Sequence, residues 1–421
     1  MSRQETCRSC GNPEIREFLS LGKTPLADAL VPPGTPLADE PTYPLAVAFC
    51  PECTLVQVTE NVPPKVLFVD NYLYFSSFSP AVLEHAQKHA ENLTSARGLG
   101  RDSFVVEIAS NDGYLLKNFA AAGIPVLGID PAPDQAAAAE AAGVPTLREF
   151  FGLELAKQLR AEGRRADVII ANNVMAHVPD LNGFVAGMRE LIADDGLITV
   201  ENPYVRDLIE HCAFDTIYHE HHCYFSCTAV DRLVRRHGLF LNDVEYFPWL
   251  HGGTLRWHIE PVERPSARVR EYLAAEEERG MTRFSYYEDF GTRVEHLRTE
   301  LRSTIESLKR EGRRIAAYGA AAKGATLLNY CGLGTESIGF VVDRNPHKHG
   351  LLMPGSRIPI RPVEALLEEQ PDVVLLLAWN FKEEIARQQA EYCRRGGKLL
   401  VPVPEVREFT PSDSGREAVV R

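Results

Sequence analysis

The segment TIYHEHHCYFS, residues 216–226, sets Tyr218, His219, Glu220, His221, His222 and Cys223 side by side. It holds three of the chain's thirteen histidines within four positions. Residues of these types support three readings. Imidazoles, a carboxylate and a thiolate can ligate a metal; a histidine that titrates near neutrality can move protons; or the run is a polar loop. Local conformation decides which side chains act together. In an extended segment Tyr218, Glu220 and His222 share a face with His221 opposite, whereas in a turn or helix Tyr218 and His221 share one. Periodicity does not choose between these.

A separate set of residues makes the better metal site. Four of the nine cysteines form two CxxC pairs, Cys7/Cys10 in CRSC and Cys50/Cys53 in CPEC. Two such knuckles present four thiolates at tetrahedral angles, as a structural zinc ion requires. The pairs are further apart than in a compact zinc ribbon, so the intervening chain, with its Pro-rich LVPPGTPLADEPTYP, must fold back. Cys212, Cys223, Cys227, Cys331 and Cys393 show no such pairing and read as buried or incidental thiols.

A third group sits at the ends of apolar runs. FVVEIA, PVLGID, ADVIIA and GLITVE alternate with helical segments from residue 104 onward, the signature of a doubly wound parallel sheet. Ligands bind such sheets at the carboxyl ends of the strands. There the first run delivers Glu107 and a turn through Ser110, Asn111 and Gly113, and the second delivers Asp130. The turn is not GxGxxG, and an acid at the first strand end has the wrong charge for phosphate. It suits a cationic or amino-acid-like group, and Asp130 suits ribose hydroxyls. S-adenosylmethionine, a nucleoside with a charged tail and no phosphate, meets both demands. Asn172 and Asn173 end the third run beside the same cleft, and His177 follows in the next turn.

Those elements organise the chain into an α/β protein of several parts. Residues 1–65 form a small zinc module and 66–261 a class I, Rossmann-like domain. Residues 262–311 form a long charged helical connector, 312–408 a second Rossmann-like domain, and 409–421 a tail. Ser79-Pro80 marks a helix start before AVLEHAQKHAENL. LFLNDVEYF and GTLRWHIE are spaced to pair antiparallel at the edge of the first sheet. In the second α/β unit, YGAAAKGATLLN has the form of a phosphate cradle, with Lys323 adding charge. Asp343 stands where a ribose-binding acid would, which on sequence alone also fits a nicotinamide cofactor and an epimerase or reductase. His251 and Arg256 in LHGGTLRW are placed to line an interdomain cleft.

Bulk properties narrow the function further. A formal charge of −13 disfavours nucleic acid and membrane surfaces as partners. No run approaches the roughly 20 apolar residues of a membrane span. No apolar core follows the arginines of MSRQETCRSC, so no signal peptide is expected, and cytoplasm is the expected compartment.

Read in order, CRSC…CPEC, DNYLYFSSFSP, VVEIASNDGYLL, YHEHHCYFS, HGGTLRW, YGAAAKGATLLNY, VVDRNPHKHG, LLMPGSRIPI and LLLAWNF resemble the sugar C-methyltransferases that act on nucleotide-linked keto-deoxysugars. Many members carry glycine where this chain has Ala109, and glutamate where it has Asp130. The resemblance implies a zinc module, an S-adenosylmethionine-binding methyltransferase domain and a C-terminal domain that helps hold the nucleotide sugar. It implies His221 as the base that removes a proton beside the ketone. Tyr218 and Glu220 would position substrate or stabilise the enolate, with His177 and Tyr72, rather than Tyr74, completing the catalytic set. Tyr74, Lys323, Tyr318 and Arg344 are then expected on the substrate. That substrate would be a dTDP-linked 4-keto-deoxysugar methylated at C-3 or C-5. His219 and His222 become bystanders.

Overall fold

A computed structural model describes residues 2–68, 74–250 and 252–410. Tyr72 and His251 therefore lie outside the described residues, as does nearly all of the tail.

The apolar runs from residue 104 become the strands of a seven-stranded sheet. Its order is Phe240–Phe247, Thr254–Glu260, Ile192–Pro203, Ala166–Asn172, Val105–Ile108, Val126–Ile129, Thr146–Leu147. The last five are parallel to one another, and the first two form the expected antiparallel pair at the edge. Val105–Ile108 is buried at every position, as a central parallel strand covered on both faces must be. The helix Pro80–Arg97 starts where expected, with the Ser79 hydroxyl accepting from Val82 N–H and Pro80 at its first turn.

The C-terminal unit is a second, six-stranded sheet, ordered Ile360–Arg361, Val341–Val342, Ile315–Tyr318, Val373–Leu376, Lys398–Val401, Arg407–Phe409, parallel except for its last strand. The connector departs from the expected single helix. It is two helices, Ala267–Glu278 and Phe290–Arg310. The chain turns at Gly280, whose φ is +80°, so that Met281 and Tyr287 are buried. Tyr287 packs on Phe49 and Phe18 of the N-terminal module, with ring centroids 4.8 and 5.3 Å away. The second helix buries Phe290, Val294, Leu297, Leu301 and Ile305, a stripe at helical spacing.

The N-terminal module contributes three strands, Arg16–Pro25, Thr42–Phe49 and Val56–Val58, to a four-stranded antiparallel sheet. The fourth strand is Cys223–Tyr224, from the histidine segment itself. On its other side the module touches the C-terminal domain. Val31 and Leu352 exchange two backbone hydrogen bonds of 2.9 and 2.8 Å. Glu40 meets Arg357 at 2.8 Å, both side chains largely buried. The module is thus wedged between the two α/β units.

Candidate active site

The two cysteine knuckles fold as the spacing demands. Each is a tight turn closed by a backbone bond, Gly11 N–H to Cys7 O and Thr54 N–H to Cys50 O, both 2.9 Å. Residues Gly11 and Thr54 take the left-handed conformation, φ +77° and +64°. The four sulfurs lie within 4.8 Å of one another, with Cys7 and Cys53 3.4 Å apart and Cys10 and Cys50 3.5 Å apart. A tetrahedral zinc with bonds of about 2.3 Å needs sulfurs about 3.8 Å apart, so the donor set fits the ion and leaves no open position. Among the described residues this is the only such cluster of possible metal ligands, and the histidine segment makes none.

That segment is turned, not extended. His221 N–H bonds to Tyr218 O at 3.0 Å, which brings their side chains to one face. The Tyr218 hydroxyl and His221 Nε2 are 2.9 Å apart, with the rings 4.0 Å centroid to centroid. His221 Nδ1 is 2.9 Å from the Thr216 carbonyl, an acceptor only, so in the neutral ring Nδ1 carries the proton. Nε2 is then a lone pair, accepting from Tyr218. His177 joins from the short turn Met175–His177 after the third parallel strand, its ring 4.8 Å from that of His221. Its Nδ1–H donates to Glu220 O at 2.7 Å, and burial holds it down to about 4, so it is neutral. Burial, with the Asp28 carboxylate next in weight, pushes Glu220 up to about 8. At neutral pH it is an acid able to donate, and its Oε2 has no partner among the described residues.

The other two histidines face the zinc module. His219 Nε2 donates to Pro44 O at 3.0 Å, and His222 is fully buried with its carbonyl accepting from Val58 N–H at 2.9 Å. The knuckles also dock on the central domain: Asn182 Nδ2 bonds to the carbonyls of Arg8 and Ser9 at 2.9 and 3.1 Å.

At the carboxyl ends of the central strands the expected cofactor residues converge. Asp130 accepts from Asn111 N–H and Ala132 N–H, both 2.9 Å, one on each oxygen. Each oxygen keeps acceptor capacity for a hydroxyl. Glu107 Oε2, Ser110 Oγ and Asn172 Oδ1 are buried acceptors with no partner among the described residues. Burial, followed by the nearby Asp130 and Asp112, drives the Glu107 carboxyl well above the carboxylate range. A cationic ligand reverses that penalty. Buried orphan acceptors beside a ribose-type acid fit S-adenosylmethionine. Asn173 N–H bonds to Glu201 O at 2.7 Å, and Asn173, Asn111 and Ala109 have φ of +53°, +48° and +55°. The alanine thus occupies a conformation that glycine takes at less cost.

The expected substrate-side residues lie on several elements. Arg256 is buried in the first sheet and bonds to Glu201, at 2.6 Å through Nε, and to Glu245 and His85. Asp343 is placed like Asp130: its two oxygens accept from Ala320 N–H and Asn345 N–H at 2.7 and 2.8 Å, one on each oxygen. Arg344 is exposed and paired with Glu384 at 3.1 Å, while the buried Tyr318 hydroxyl is 3.5 Å from Gln388 Oε1. Tyr74 is partly exposed, its carbonyl bound by Asn111 and Gln135 at 3.2 and 3.1 Å, beside the cofactor turn. Lys323 donates to Asn380 Oδ1 at 2.9 Å and lies 4.1 Å over the Trp379 ring. Sequence reasoning missed Asp28, a lone loop acid with no flanking signal. It also left Trp379 without a role, although LLLAWNF had been singled out.

Family models match in three blocks: a zinc binding domain over residues 7–68, a methyltransferase domain over 82–242 and a C-methyltransferase C-terminal domain over 249–404. The C-methyltransferase NovU of Streptomyces niveus is 36% identical over 408 residues, 96% of this chain and 96% of that protein. The chain belongs to this C-methyltransferase family. An ubiquinone biosynthesis O-methyltransferase of Azorhizobium caulinodans matches this chain more narrowly, 25% identical over 43% of this chain and 61% of its own length. The magnesium protoporphyrin IX methyltransferase of Synechocystis with bound SAM covers 46% of this chain and 88% of its own, at 13% identity and a TM-score of 0.33, too slight a likeness to argue from. No helix among the described residues is long and apolar enough to cross a membrane.

Proposed function

We propose that this C-methyltransferase uses S-adenosylmethionine to methylate a carbon beside the ketone, C-3 or C-5, of a dTDP-linked 4-keto-deoxysugar. The observation that carries the reading is the Tyr218–His221–His177 cluster, with His221 Nε2 2.9 Å from the Tyr218 hydroxyl and the two imidazole rings 4.8 Å apart. Bound at Glu107, Ser110, Asn111, Gly113, Asp130, Asn172 and Asn173, the cofactor supplies an electrophilic methyl group. His221 Nε2 takes the proton from the α-carbon, and the C–H electron pair moves into the enolate. Tyr218, displaced from Nε2, and the protonated Glu220 are donors for the oxygen on which that charge develops. His177 stays neutral and props the turn through Glu220 O. The thiolate cluster takes no part in the chemistry.

The C-terminal domain is proposed to hold the nucleotide, with Lys323, Tyr318 and Arg344 its expected contacts. Incubation of a panel of 4-keto nucleotide sugars with isotopically labelled S-adenosylmethionine, read by mass spectrometry, tests the assignment. A labelled methyl on carbon in a dTDP-keto sugar is expected, and label on oxygen, or on none of the panel, refutes it.

A further inference from the structure

The turn that carries Tyr218 and His221 begins two residues earlier, in the short helical turn Phe214–Thr216. Thr216 supplies the carbonyl that fixes His221 Nδ1. Its neighbour Asp215 is wholly buried, and Asp215 Oδ2 accepts from the indole N–H of Trp379 at 2.6 Å. Trp379 belongs to the second α/β unit, in the turn after strand Val373–Leu376. Its ring carries Lys323, which donates to Asn380 in the same turn. A buried side-chain hydrogen bond therefore joins the nucleotide-side domain to the residue next to the one that sets the tautomer of the proposed base.

We propose that Asp215 and Trp379 are positioning residues for His221: the indole N–H holds Asp215, which orients the Thr216 carbonyl, which keeps the His221 proton on Nδ1 and its lone pair on Nε2. The inference rests on the assignment of His221 as base. The rotation of one carbonyl is enough to matter, because an imidazole freed from its acceptor samples both tautomers, and the Nε2–H form has no lone pair to offer the substrate. The arrangement also puts Lys323 over the face of the indole whose N–H edge holds Asp215. A ligand that moves Lys323 thus acts on a ring that bonds directly to the catalytic turn.

The test uses the full chain with zinc bound. Selective ¹⁵N labelling of histidine reads the tautomer of His221 without substrate, with His221→Gln identifying its signals. Wild type and Asp215→Asn, which keeps an acceptor for the indole, are expected in the Nδ1–H form alone. Trp379→Phe and Asp215→Ala are expected to mix in the Nε2–H form. In parallel, solvent deuterium exchange into the α-carbon of a dTDP-linked 4-keto-deoxysugar, without S-adenosylmethionine, reads base function. It should fall about tenfold to a hundredfold in Trp379→Phe and Asp215→Ala, the effect of leaving one buried hydrogen-bond partner unsatisfied. Melting temperatures should stay within about 2 °C, and Asp215→Asn within about threefold of wild type. A Trp379→Phe protein with wild-type tautomer and exchange rate overturns the inference, as does an Asp215→Asn protein as impaired as Asp215→Ala. If Trp379→Phe does not fold, the Asp215 pair carries the same comparison. Wild type that holds one tautomer yet exchanges no proton from the keto sugar sinks the functional assignment and leaves the positioning role standing.

Discussion

The turn that carries Tyr218 and His221 is gripped from two sides by regions of different construction. After His222 the chain enters the zinc module's sheet, where Cys223 and Tyr224 pair with Gln57 and Val56 through the backbone. His219 and His222 are buried against the same module. Before His221 the grip is made of side chains: the Trp379 to Asp215 bond, and the buried Phe214 ring 5.3 Å from that of Tyr330. A strand ladder reinforced by a metal-stapled core is held by many groups and yields only when the module unfolds. A hydrogen bond between two side chains can be removed by one substitution while the Phe214–Tyr330 packing beside it stays. The first grip sets where the turn is, and the second sets how one of its rings is oriented.

Four expected outcomes break or sharpen that contrast. Replacing His221 by Gln removes the group both grips serve. Methyl transfer should drop about a thousandfold with cofactor affinity unchanged, measured by turnover and by calorimetric titration of S-adenosylmethionine. A variant that still turns over normally leaves the turn with nothing to position.

Chelating zinc should come next. Because the module's sheet includes the strand that follows the turn, methyl transfer should be lost in the same transition that melts the module. Cofactor affinity should persist within a few-fold, since Glu107 and Asp130 stand on the central sheet. Activity that survives a melted module would separate the turn from the ladder.

Glu220 gives a pH signature. Its carboxyl is protonated below about 8 and donates; as pH climbs through 8 it ionises and the donor is lost, so kcat should fall on the alkaline side. Glu220→Gln keeps a donor at every pH, so that limb should vanish while activity at pH 7 changes by only a few-fold. An unchanged alkaline limb assigns it to another group.

The smallest effect is expected away from both grips. Ala109→Gly relieves the +55° φ in the cofactor turn and should stabilise the protein by about 0.5–1 kcal/mol, seen as a modest rise in melting temperature with turnover unchanged. A lower melting temperature would show that the methyl group's packing outweighs the backbone term.

Much of the architecture was legible beforehand because it is local. Apolar runs of strand length, the Ser79-Pro80 helix start and the paired strands around Thr254–Glu260 all depend on residues near one another in the chain. The connector was misread because its break at Gly280 is driven by burial of Tyr287 against Phe49, a partner in the zinc module. The ion network of Arg256 was not legible for the same reason: its partners Glu201, Glu245 and His85 come from three other elements.

The sequence by itself determined the thiolate set, because two knuckles need only their own spacing. It also determined the strand-end acids and the identity of the residues in the YHEH run. It left open which of them share a face. Tertiary structure decided that by turning the segment, drawing His219 and His222 toward the zinc module and leaving Tyr218 against His221. It alone decided the Trp379–Asp215 bond, between residues 164 positions apart. Side-chain hydrogen bonds between domains leave no periodic trace in a sequence, because their geometry exists only once two cores have packed.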